Sequence, residues 1–174
     1  MQLSVDAVLP FPRERVFAAY RDRLVDTVPH LPNIRAIVVA SRKEEDDDVL
    51  LVNEWTGGGD IPAVARAFVK EDMLKWTDHA RWRHASFAVE WRTDIHAFPG
   101  AVVSAGENRF VEVAAGTRLE IRGEFSLDAA KIPGVPRLIA KSVGGAVEKF
   151  FVHQIQVNGV AVAKAVSTLL AAEK

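Results

Sequence analysis

Leu3, Val5, Ala7 and Leu9 alternate with Gln2, Ser4 and Asp6, and this period of two predicts a strand with one buried face. Pro10-Phe11-Pro12 stops it. Pro12 and Glu14 suit the first turn of a helix, where a missing N–H costs nothing and a carboxylate meets the positive end of the dipole. Val16, Phe17 and Tyr20 give that helix one apolar side, and residues 24–32 read as a second short helix or irregular turn. Residues 34–40 are rich in β-branched side chains and residues 49–55 are apolar again, which predicts a hairpin around the acidic turn 44–48, with Gly57-Gly58-Gly59 closing its second strand. Residues 73–78 form a further strand, and Trp82 falls in the loop after it as a plug. Residues 85–95 alternate, with Phe87, Val89, Trp91 and Ile95 on one face. Phe98-Pro99-Gly100 turns into a strand over 102–114 with a bulge at Gly106-Glu107-Asn108. The clearest alternation follows, with Leu119, Ile121, Phe125 and Leu127 inward and Gly123 at an inward position that marks a bend or a close backbone approach.

After residues 131–136 the period changes to that of a helix and holds to Ala172, with Val143, Val147, Phe151, Val162, Ala165 and Leu169 on one side, a length of roughly nine to ten turns. Gly144-Gly145 allows a kink or close packing. Antiparallel strands that each bury one face need a cover, and this helix carries the only large apolar surface able to supply it. The pattern therefore predicts an α+β fold over residues 1–174 as a single domain: about seven antiparallel strands curved around a long C-terminal helix, with two short helices after the first strand.

Composition narrows the chemistry. With 22 basic and 23 acidic side chains and a net charge of −1, the chain has no excess of cations for a phosphate backbone, which argues against nucleic-acid binding. The absence of cysteine excludes disulfides, thiolate metal sites and cysteine nucleophiles. The N-terminus lacks the pattern of a signal peptide, and no uncharged apolar run approaches the roughly 20 residues of a membrane span, so a cytoplasmic monomer or homodimer is expected. The five histidines, His30, His79, His84, His96 and His153, show no HExxH spacing, and no GxSxG elbow is present. The run Glu44-Glu45-Asp46-Asp47-Asp48 lacks the glycine and spaced ligands of a calcium loop and reads as a solvated hairpin tip, while the three glycines at 57–59 lack the pattern of a phosphate-binding loop. Neither a metal nor a cofactor is expected.

Gln154 and Asn158 lie one helical turn apart on the apolar stripe of the long helix, where a buried amide costs about 1–3 kcal/mol unless its hydrogen bonds are met. Two readings follow: they line a cavity and orient a polar group of a ligand, or they bond sheet backbone or an ordered water. Trp55, Trp76 and Trp91, on separate strands, can wall an apolar pocket together with Phe110, Phe125 and Phe151, a role that overlaps with that of core residues. Glu54 would act as a general base if it faced such a pocket, but strand alternation turns it outward when Trp55 points in. Arg66 and Arg92 are either anchors for an acidic head group or solvated surface charges.

The order of elements, together with Trp76-Thr77-Asp78, Trp82, Trp91-Arg92, Gly116-Thr117-Arg118-Leu119, Ile132-Pro133-Gly134 and the helix from Val143, resembles the START-like, or SRPBCC, superfamily over essentially the whole chain, in particular its bacterial and lipid-transfer branches. The resemblance implies a cavity between sheet and helix for a lipid, sterol, quinone, polyketide or plant hormone, and it does not imply one activity, because one fold hosts many. The expectation is a non-catalytic binder or carrier of a small hydrophobic molecule, with transient membrane contact. A polyketide cyclase or aromatase would instead need an acid–base pair inside the cavity, and a protein-interaction module would show a shallow groove.

Overall fold

The alternation that marks the N-terminus as a strand continues in space across seven strands. The structure, a computed structural model, describes residues 1–58, 66, 70–132, 135, 138 and 140–173. The elements are β1 (Gln2–Leu9), α1 (Arg13–Asp22), a 3-10 helix at Leu24–His30, β2 (Ile34–Glu45), β3 (Asp48–Gly57), β4 (Lys75–Arg83), β5 (Ala88–Ile95), β6 (Val102–Val113), β7 (Gly116–Leu127) and α2 (Ala140–Ala172), with single 3-10 turns at Glu71–Met73 and Ala129–Lys131. All pairings are antiparallel, in the order β1-β7-β6-β5-β4-β3-β2. The sheet curves around α2 in a helix-grip arrangement, as the pattern predicts. At the hairpin tip Arg81 ties Glu45 and Asp48 together at 3.2 and 2.9 Å, so the neighbouring strand offsets part of the acidic run.

α2 buries Val147, Val152, Val162, Ala163, Ala165, Val166 and Leu170 and packs on β1, β7, α1 and the Leu24–His30 helix. By length and composition alone it could cross a membrane, with a mean hydropathy of 1.4. Here the apolar residues have another use, because they cover the sheet. Gly144 and Gly159 serve close packing: a Cβ on Gly144 would stand 2.8 Å from the Cβ of Ala129, and one on Gly159 would touch Ile121 and Val5.

Several expectations need correction. Trp82 is not in a loop: β4 runs on from Asp78 to Arg83, and Trp82 is a buried inward residue of that strand. The strand does not fade at residue 78, because Trp76, Asp78, Ala80 and Trp82 keep the period of two while polar neighbours mask it. There is no bulge at residues 106–108, where β6 pairs in unbroken register with both β5 and β7. Gly106 and Gly123 face each other across that ladder, and added Cβ atoms would come within 2.6 and 2.9 Å of the Trp91 ring. The two glycines make a seat for an indole. The register shifts occur instead in the β2–β3 pair, near Ile34 and Val39. Leu169 is only half-buried, with Val166 and Leu170 taking the inward positions. The side chain of Val143, and Gly59, Pro133 and Gly134, lie outside the described residues.

Candidate ligand cavity

Strand register sorts the inward side chains of β3, β4 and β5 into tiers. One tier is Trp55, Trp76 and Ile95, the next is Asn53, Asp78 and Thr93, and the third is Leu51, Ala80 and Trp91. A polar row thus crosses three adjacent strands between two apolar rows. Opposite it, α2 presents Phe150, Phe151, Gln154, Ile155 and Asn158, and between sheet and helix lies a cavity of about 240 Å³. Asn33 and Tyr20 close one side, and Ser104 and Asn108 reach it from β6.

Six of the eight residues singled out from the sequence line this space: Trp55, Trp76, Trp91, Phe151, Gln154 and Asn158. Trp55 and Trp76 stack at 5.6 Å. Phe110 and Phe125 do not reach the wall. Phe110 packs against Phe17, Tyr20 and Trp82, and Phe125 lies behind Phe151, stacked at 5.7 Å, so both are core residues. Trp82, read from sequence as a plug, lines the cavity as well. Glu54 is exposed on the outer face, as alternation requires. Arg92 pairs with Asp94 at 3.3 Å on the outer face, and Arg66 is exposed.

The polar groups of the cavity are only partly satisfied. Asn33 donates to the Gln154 amide oxygen at 3.3 Å, and the Trp91 indole N–H donates to Asn108 Oδ1 at 2.9 Å. The Tyr20 hydroxyl and the indole N–H groups of Trp55 and Trp82 are buried without a hydrogen-bond partner among the described residues. Burial pushes the Tyr20 phenol upward, so it stays neutral. Asp78 has neither a hydrogen bond nor an ion pair among the described residues, and desolvation alone pushes its carboxyl up to about 7. Asp78 is partly accessible, and it lines the cavity. The other charged side chain at the site is Lys75, exposed at its mouth. Among the described residues no three His, Asp or Glu side chains are grouped as metal ligands.

Asn53, Asp78 and Thr93 escape a reading based on apolar patterning, since each is a polar residue at an inward position. Their signal is the two-residue spacing of Asp78 from Trp76 and Ala80, of Asn53 from Leu51 and Trp55, and of Thr93 from Trp91 and Ile95.

Comparison with solved structures gives the same architecture. TTHA0849 from Thermus thermophilus superposes with a TM-score of 0.69 at 16% identity, covering 100% of both chains. The Zhui aromatase/cyclase from a Streptomyces species gives 0.65 at 14% identity over 97% of this chain and 92% of its own. Ara h 8.0201 gives 0.54 at 11% identity over 99% of both chains. At these identities the likeness shows the fold alone, which is the helix-grip fold. No curated protein matches the chain. A family model described as a protein of unknown function, DUF2505, matches residues 4–157, so the chain belongs to the DUF2505 family.

Proposed function

We propose that the chain binds and carries a small, largely apolar molecule in the cavity between the β3–β5 tiers and α2, without transforming it. The observation that carries this reading is a space of about 240 Å³ walled by four tryptophans and crossed by the polar row Asn53, Asp78 and Thr93. A core made only for stability is filled, and each buried polar group left unpaired costs about 1–3 kcal/mol. A ligand with an apolar body and a few hydrogen-bonding atoms offsets both costs at once. The roof formed by α2 favours a small molecule over the protein segment that a shallow groove would take. Gently purified protein, examined by native mass spectrometry with organic extraction, should carry a stoichiometric apolar passenger. Protein that is empty and gains no thermal stability from apolar ring compounds would refute the carrier reading.

One observation favours a second reading, that of a cyclase or aromatase, the activity named for the Zhui protein. A carboxyl at about 7 on the wall of a largely apolar cavity is suited to general acid–base work at neutral pH. Tyr20, held neutral, is the other titratable group buried at the site. Turnover of a poly-β-ketone substrate by the wild type that is lost in Asp78→Asn would decide for the enzyme. Binding without turnover decides for the carrier.

A further inference from the structure

The cavity's charge is one-sided. Of the titratable side chains that line it, Asp78 lies in its depth, Tyr20 on α1 is uncharged, and Lys75 is exposed at the mouth. From the elements that face Asp78, α2 contributes the neutral Gln154 and Asn158, β3 contributes Asn53 and β5 contributes Thr93. An anionic ligand such as a fatty-acid carboxylate would meet a buried carboxyl with no buried cation to offset it. A cation would meet the reverse.

Resting on the reading of the cavity as a ligand site, we propose that the ligand carries a protonated amine, and that its ammonium group sits on the Asn53–Asp78–Thr93 row. An ammonium has three N–H donors and no acceptor. That row offers three acceptors on adjacent strands, the Asp78 carboxylate and the side-chain oxygens of Asn53 and Thr93, none of which is used by another described residue. The tiers on either side supply indoles, Trp55 and Trp76 above and Trp91 below, an electron-rich aromatic border that suits a cation better than an anion. The side-chain amide of Asn158, which lines the cavity from α2 and makes no hydrogen bond among the described residues, remains for an oxygen elsewhere on the same ligand. In the free protein the desolvated Asp78 holds its proton up to about pH 7, and a bound ammonium stabilises the ionised form. Binding therefore releases a proton below that pH and tightens as pH rises through it.

The test is isothermal titration calorimetry on the full chain with three probes sharing one ring: 1-naphthylmethylamine, 1-naphthylmethanol and 1-naphthoate. At pH 7.5 the amine should bind at least about tenfold tighter than the alcohol, and the naphthoate weakest. Asp78→Asn should remove the amine's margin while leaving the alcohol bound, and Thr93→Val, which keeps the carboxyl, should reduce that margin in part. Titrations at pH 6.5 in buffers of different ionisation enthalpy should reveal proton release with the amine alone. If the wild type binds the alcohol as tightly as the amine, or if the margin survives in both variants, the amine inference fails and the cavity reading stands. If none of the three binds at millimolar concentration, both fail together.

Discussion

The concave face of the sheet carries two groups of aromatic side chains with different surroundings. Towards α1, Phe17 meets Trp82, Phe87 and Phe110 edge to face at 5.3 Å each, and Phe17 and Phe110 are 1% and 2% exposed. Towards β3 and β4, Trp55 and Trp76 stack on each other and remain half-buried, as does Trp91, because one side of each faces the cavity. The residue types are alike. What differs is the polar row beside the second group, which no hydrophobic side chain fills. Phe17 and Phe110 are thus closed in by other rings, whereas Trp55, Trp76 and Trp91 border open space beside the Asn53–Asp78–Thr93 row.

Truncation tests this contrast most severely. Phe110→Ala should cost about 3–5 kcal/mol of stability in urea unfolding, since the ring is enclosed on all sides and its removal leaves a void. Trp55→Ala removes a larger ring but should cost only ~1–2 kcal/mol, because part of its surface already faces open space. Equal losses at the two positions would mean that the cavity is packed as tightly as the core.

Next in size is the pH dependence that Asp78 imposes. Its carboxyl titrates near 3.8 in the unfolded chain and at about 7 in the folded one, so the folded state holds the extra proton between those values. Stability should fall as pH rises from about 4 to 7 and level off above, by up to about 4 kcal/mol from this group. Asp78→Asn should flatten that part of the profile and raise stability at pH 8, read from urea midpoints across the range. A profile unchanged by the substitution would place the carboxyl in contact with bulk water.

Gly123→Ala should cost about 1–3 kcal/mol, because its methyl group would lie 2.5 Å from the Ala105 carbonyl oxygen and 2.9 Å from the Trp91 ring. Trp91 would be displaced towards the cavity and affinity for naphthyl probes should fall with stability. A stable variant with intact affinity would show that the seat formed by Gly106 and Gly123 is not what positions the indole.

Element order, strand count and the long helix are legible in the sequence because each rests on periodicity repeated over many residues, as in β7 and α2. Trp55, Trp76 and Trp91 are legible as wall residues for the same reason, each standing at an inward step of a strand. Asp78 is not. A polar residue in an apolar pattern reads as the end of a strand, so Asp78 reads as closing the strand that it occupies near the middle, and Trp82 falls into a loop with it. Phe110 and Phe125 escape for a different cause: periodicity tells which face a side chain takes, while its position along the face relative to α1 and α2 depends on how the helices cross the sheet. Gly106 is ambiguous likewise, since glycine in a strand marks either a bulge or a close approach, and the choice depends on Trp91 from the next strand.

The smallest expected change in stability is the one that best separates a structural amide from a binding one. Asn158 is half-buried on α2, lines the cavity, and makes no side-chain hydrogen bond among the described residues, whereas Gln154, one turn earlier, accepts from Asn33. If Asn158 held the fold together, replacing it with Leu would forfeit a hydrogen bond and leave a partner unpaired, at about 1–3 kcal/mol. With no such partner, Asn158→Leu should leave stability within about 0.5 kcal/mol of the wild type or raise it slightly, since an apolar group enters an apolar face. Affinity for a probe bearing both an amine and a hydroxyl should nonetheless drop by about tenfold, while that for 1-naphthylmethylamine changes less, because Asn158 then has only the hydroxyl to lose. A loss of stability without a loss of affinity would make this amide a part of the scaffold and confine the polar recognition of the ligand to the sheet.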